Sequence, residues 1–189
     1  FYGDFSVRSF RKFLPQPDGA LLKSSQPFDY SLAHSNEDYI SQKVVGKLLR
    51  GSNQAEREFL KLLAESEQIV EQNVIPRHMS WISKFLYSKT DINYIKQQRC
   101  NNWLYFHSLL QASCLYDIVI NPLHTSLETG EVPLGYPVIV KRDLRNDLRQ
   151  FLMQNGIFCP IHWVIDDRYY AGYDDIGIER IISESILTL

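Results

Sequence analysis

A serine and a lysine three positions apart, Ser9 and Lys12, carry the clearest chemistry in this chain. A lysine amine attacks aldehydes once it is neutral, and a hydroxyl three positions earlier can hold the anionic part of the same ligand. Arg8 and Arg11 flank them as cations able to depress the amine's pKa. Ser-x-x-Lys recurs by chance, and its plain alternative is a solvated lysine beside a turn serine. The surroundings sharpen the reading. Phe5 and Val7, with Phe10, give an extended run, and Ala20-Leu21-Leu22 gives another. Between them Pro15-Gln16-Pro17-Asp18-Gly19 is dense in turn formers, since proline presets φ and glycine accepts φ > 0. The spacing predicts a strand, a tight turn carrying the lysine, and a second strand.

Ser9-Phe10-Arg11-Lys12 followed by Pro17-Asp18-Gly19-Ala20 resembles the cofactor-lysine segment of the fold-type-I pyridoxal phosphate enzymes. The nearest likeness is to the DegT/StrS-type sugar aminotransferases and their aminotransferase-like relatives. Arg77-His78-Met79-Ser80 resembles the Arg-Met-Ser stretch that opens that family's long helix, with His78 as a departure. Arg99-Cys100-Asn101-Asn102 resembles the end of that helix, and Gly156 to Trp163 resembles a late strand ending in Pro-x-His.

The resemblance implies an α/β protein: the end of a PLP-transferase large domain with connecting helices over 1–90, and a small C-terminal α/β domain over 91–189. It implies amino transfer to a keto substrate such as a nucleotide-linked keto-sugar. Lys12 would form the internal aldimine with pyridoxal 5′-phosphate and then shuttle a proton. Ser9, Arg11 and Lys12 would bind the cofactor, and His162, Arg77 and Ser80 would meet the substrate, in a cytoplasmic homodimer. In that family the aspartate on the ring nitrogen comes from strands before the lysine. The chain therefore reads as a C-terminal part that binds the cofactor poorly by itself and does not turn over.

Composition sets wider bounds. The 189 residues are 44% hydrophobic and 13% aromatic, enough for a substantial core in one domain or two small ones. A net charge of −2 argues against general affinity for nucleic acid or acidic membranes, and no apolar run is long enough to span a bilayer. Cys100, Cys114 and Cys159 have neither disulfide nor zinc spacing; Cys100 on a helical pattern and Cys159 on a strand read as buried thiols, and a reducing compartment fits.

Along the chain, Ser35-Asn36 caps a predicted helix over 37–49, and a second helix runs over 54–73 with its glutamates as a solvated face. Further helices are predicted over 80–87, 92–112 and 142–155, with another within 173–185. Strands are predicted over 115–120, 136–140, 157–163 and the last four residues. No histidine has metal spacing, and the carboxylate pairs Asp166-Asp167 and Asp174-Asp175 read as a solvated loop. There is no nucleophile elbow and no phosphate-binding Gly-rich loop. The rival reading is a non-catalytic helical module that binds another protein through Trp81, Trp103, Tyr94 and Tyr105.

Overall fold

Phe5–Ser9 (β1) and Ala20–Ser24 (β2) pair antiparallel, with Phe5 opposite Ser24 and Ser9 opposite Ala20. The connection is longer than the predicted tight turn. Phe10 belongs to a 3-10 turn, Phe10–Lys12, instead of extending β1. In the computed structural model the described residues are 3–52, 56–162, 165, 168 and 177–189. The chain divides into two compact units, Phe1–Thr90 and Asp91–Leu189. It mixes helices with two small sheets, both antiparallel.

In the first unit the hairpin is followed by two helices, Glu37–Ser52 (α1) and Glu56–Gln72 (α2). Asn36 caps α1, its side-chain oxygen accepting from the Tyr39 amide at 3.0 Å. The helices approach closely at Gly46, where an added Cβ would meet Leu63 Cδ2 at 3.1 Å. The face of α1 that becomes buried is Tyr39, Ile40, Lys43 and Gly46, while Val45 and Leu48 stay exposed. A short helix, Trp81–Lys89 (α3), closes the unit with Ser80 as its N-cap.

The second unit begins with Ile92–Gln111 (α4), capped by Asp91, whose carboxylate accepts from the Tyr94 amide at 2.9 Å. Its sheet has the order β3-β4-β5, from Ile120–Pro122 (β3), Pro137–Val140 (β4) and Ile186–Thr188 (β5). Val138, Val140 and Leu187 are fully buried and form the centre of a core with Trp103, Leu110, Ile120, Tyr136 and Cys159. Trp103 stacks on His107 at 4.9 Å, and His107 Nδ1 lies 2.5 Å from the Tyr136 hydroxyl. Burial pushes the Tyr136 phenol above its ordinary pKa, so it stays protonated for this hydrogen bond. Arg145–Gln154 (α5) and Gly177–Ser185 (α6) complete the unit.

Among the described residues two predicted strands do not form over their expected lengths. In Leu115–Val119 the Leu115 carbonyl accepts from the amides of Ile118, Val119 and Ile120, and Asp117 has φ +60°, so the segment turns and β3 starts only at Ile120. Residues 157–161 form no strand. They share one backbone bond with β5, Thr188 N to Pro160 O at 3.2 Å, and Pro160 has no N–H to return. Cys159 is nonetheless buried, whereas Cys100 is half-buried and Cys114 exposed. Trp163 and the carboxylate pairs lie outside the described residues. Among the described residues no helix is long and apolar enough to cross a membrane.

Leu187→Ala should cost the second unit about 2–5 kcal/mol in chemical denaturation, because a fully buried side chain is lost from a filled core. Ile118→Ala, at a position 73% exposed, should cost less than about 0.5 kcal/mol.

Candidate functional site

The loop between β1 and β2 is built to present side chains. Phe10 N donates to Gly19 O at 3.1 Å and closes it, while Leu14 N donates to Phe10 O at 2.8 Å. Gly19 has φ +108°, a conformation that favours glycine, and a Cβ there would meet Met79 Sδ at 2.4 Å, so the methionine would have to move. Ser9 stands at the N-cap position of the 3-10 turn, yet its side chain makes no capping bond. At about three residues per turn, successive side chains point roughly 120° apart. Arg11 accordingly lines a cavity while Lys12 is exposed and outside that lining.

Asp18 ties this loop to a distant segment. Its Oδ2 accepts from Ser80 N at 2.8 Å and its Oδ1 from Ser80 Oγ at 2.6 Å. Oδ1 also accepts from Ser83 Oγ, whose oxygen accepts in turn from the Asp18 amide at 3.3 Å. Just before Ser80, Ala33 N donates to Pro76 O at 3.0 Å and His78 N to Ala33 O at 2.9 Å. The Arg77 guanidinium reaches back to His34 O at 3.0 Å.

These constraints surround one cavity of about 760 Å³, within the usual range for small-molecule sites. Ser9, Arg11, Asp18 and Arg77 are among its polar lining, and Phe28, Ile69 and Met79 among its apolar lining. The structure thus brings Ser9, Arg11 and Arg77 together, whereas Ser80, expected to meet the substrate, is buried against Asp18 and does not line the cavity.

Arg11 is the most engaged of the group. Its Nη1 donates to Tyr39 Oη at 2.7 Å and lies 3.4 Å from Glu67 Oε1. The buried Lys43 ammonium takes the same Glu67 oxygen at 2.5 Å. Burial alone would raise the Glu67 pKa, but the Lys43 hydrogen bond and charge, with Arg11 behind them, outweigh it and hold the carboxyl below its ordinary value. Burial pushes the Tyr39 hydroxyl up against the pull of Arg11, so it remains protonated. Lys47 donates to the Pro15 and Gln16 carbonyls at 3.0 and 2.7 Å; burial and the neighbouring Arg11, Lys43 and Arg50 charges lower its pKa.

His162 belongs to the second unit and does not sit on a strand. It is exposed, with Nδ1 3.3 Å from Thr188 Oγ1. Trp103, expected on an interaction surface, is buried at 5% exposure. Asp18, Tyr39, Lys43 and Glu67 were not anticipated. Asp18 read as a turn former and Glu67 as one of a row of solvated glutamates. The available signal was Tyr39 and Lys43 four positions apart on one helical face.

Comparison with protein families, with curated proteins and with solved structures returns no match. The ligand implied by the resemblance, an aldehyde bearing a phosphate, is therefore judged against the cavity itself. Ser9, Arg11 and Arg77 offer donors on its wall, and two guanidinium cations stand there against the one carboxylate of Asp18, whose oxygens accept from two serine hydroxyls and an amide, so the anionic end fits. The Lys12 amine makes no hydrogen bond or ion pair among the described residues, which leaves it open to reagents. Among the described residues there is no group of three or more potential metal ligands.

A carboxyl held below its ordinary pKa stabilises the fold fully above that ordinary value, and the contribution disappears as pH falls through the lowered one. Glu67→Gln should therefore lower the stability of the first unit at neutral pH, with the difference from the wild type shrinking as pH falls through the lowered carboxyl pKa. The side chain is 49% exposed, so the neutral-pH loss should be at most about 1 kcal/mol, read by denaturation at each pH.

Proposed function

We propose that this chain is part of a pyridoxal phosphate-dependent aminotransferase-like enzyme, with the cofactor-lysine segment in the first unit. One observation carries the reading. Ser9 and Arg11, from the lysine turn, and Arg77, from the segment that the resemblance assigns to the same site, line a single cavity. Asp18 and Ser80 hold the two segments together there.

Pyridoxal phosphate, when bound, supplies an aldehyde carbon for amines and an electron-withdrawing ring that acidifies the neighbouring C–H. The chain's own residues divide the remaining work. Ser9 Oγ and the Arg11 guanidinium bind the phosphate as hydroxyl and charged donors. Lys12 provides the nucleophilic amine and moves a proton at its Nζ. Arg77 adds a cation for an anionic substrate group, and Ser80, fixed by Asp18, keeps that segment in register. The same reading assigns His162 to the substrate side, with an amino acid as donor and a keto compound as acceptor.

A second reading, a helical module that docks another protein, draws on α3. There Trp81 is 76% exposed and stacks on Phe85 at 5.9 Å.

Incubation with pyridoxal 5′-phosphate, borohydride reduction and peptide mapping decides for or against the cofactor reading. The expected result is a partial mass increment, in keeping with weak binding by this chain alone, that falls on the Lys12 peptide and that Lys12→Ala abolishes. Labelling spread evenly over the exposed lysines, or unchanged in Lys12→Ala, would overturn the assignment and leave the docking reading.

A further inference from the structure

The residue that touches the anion in this reading is itself held by Tyr39, which lines the same cavity. Arg11 Nη1 donates to Tyr39 Oη at 2.7 Å, and that hydroxyl sits 3.2 Å from the Pro17 carbonyl. A tyrosine hydroxyl has one proton, and the carbonyl can only accept it. The lone pairs are then left for the guanidinium, which can only donate, so the direction of each bond is fixed. Tyr39 cannot easily move. It is 6% exposed, stands in the first turn of α1, and has its amide on Asn36 Oδ1 at 3.0 Å. The Lys43 ammonium lies 5.7 Å from the centroid of its ring. Glu67 holds Arg11 less firmly, at 3.4 Å and through an oxygen already taken by Lys43. A planar guanidinium pinned at one nitrogen displays its other N–H groups in a fixed fork, the geometry that matches phosphate oxygens.

We propose that Tyr39 is the positioning residue for Arg11, and that the cavity binds a phosphate monoester through the guanidinium edge that Tyr39 leaves free. The inference rests on the assignment of Arg11 to the phosphate, but not on Lys12 chemistry. Tyr39 acts through Arg11, so removing its hydroxyl weakens phosphate recognition and leaves the apolar part of the cavity alone.

Calorimetric titration of the wild type, Tyr39→Phe, Arg11→Gln and the double variant with pyridoxal 5′-phosphate, pyridoxal and inorganic phosphate tests this, with melting of each unliganded protein. Tyr39→Phe should weaken both phosphate-bearing probes by about 3–10-fold, less than the worth of a direct bond to a charged group because Tyr39 acts through Arg11, and leave pyridoxal unchanged. Arg11→Gln should weaken them by about 10–100-fold, and the double variant no further, because the two residues act as one unit.

Equal losses for pyridoxal and its phosphate, additive losses in the double variant, or no loss at all would overturn the proposal. So would a wild type that binds neither phosphate-bearing probe. Should Tyr39→Phe not fold, Arg11→Lys keeps the charge without the fork; unchanged phosphate affinity in that variant would also overturn the proposal. The two readings fail separately. Selective loss in Tyr39→Phe without labelling at Lys12 sinks the aminotransferase reading and keeps the positioning role. Labelling at Lys12 with wild-type affinity in Tyr39→Phe does the reverse.

Discussion

One carboxylate holds the first unit in order. Asp18 accepts from the Ser80 amide, the Ser80 hydroxyl and the Ser83 hydroxyl, and its own amide donates back to Ser83 Oγ. Charge-assisted bonds of this kind are stronger than neutral ones, and a half-buried carboxylate without them would bear a large desolvation penalty. The same group therefore caps α3 from outside, through Ser80, and fixes the end of the β1–β2 loop. Gly19 follows it directly, where the loop reverses against Met79 at a positive φ that favours glycine. Arg77 lies three residues before Ser80, on the segment this clasp holds.

The loop between β1 and β2 is held more by polar saturation than by apolar packing. Lys47 reaches the Pro15 and Gln16 carbonyls, Gln16 Nε2 donates to Ser83 O at 3.2 Å, and Tyr39 takes the Pro17 carbonyl. Pro17 and Gln16 are fully buried, and in such surroundings each unmade bond costs more than a made one gains. Gln16 Oε1 is the exception, buried with no partner among the described residues. Specific donors from α1 and α3 thus define the loop conformation, which suits a segment whose task is to aim side chains.

Much of this architecture is legible in the sequence, and the failures have physical causes. The helices could be read from their period and caps: Asn36, Ser80 and Asp91 each accept from an amide three residues on. The hairpin was legible from its proline and glycine punctuation. Leu115–Val119 misled because a short apolar run does not reveal whether its carbonyls face a partner strand or its own amides. Residues 157–161 misled because Pro160 sits where a ladder needs a donor. Of the candidate site, Ser9 and Arg11 could be picked out by residue type beside Lys12, whereas Arg77 and Ser80 entered only through the resemblance. Asp18, Tyr39 and Glu67 were not legible, because their roles arise from pairings between residues more than twenty positions apart.

The exposure of Lys12 beside the engaged Arg11 follows from the 3-10 turn itself. Two neighbours on a turn of about three residues cannot point the same way, so a cation built into the cavity wall forces the next side chain off it. An α-helical turn would part them by a similar angle, but a strand would send them to opposite faces. On the proposed reading this divides labour within three residues: Ser9 and Arg11 face a fixed anion, while the Lys12 amine keeps the freedom to reach a carbon and withdraw with a proton. A Lys12 locked like Arg11, with its donors spent on Tyr39 and Glu67, would have no lone pair to offer. The segment keeps its rigid cation and its free amine apart by one residue, and the geometry of that turn makes the separation possible.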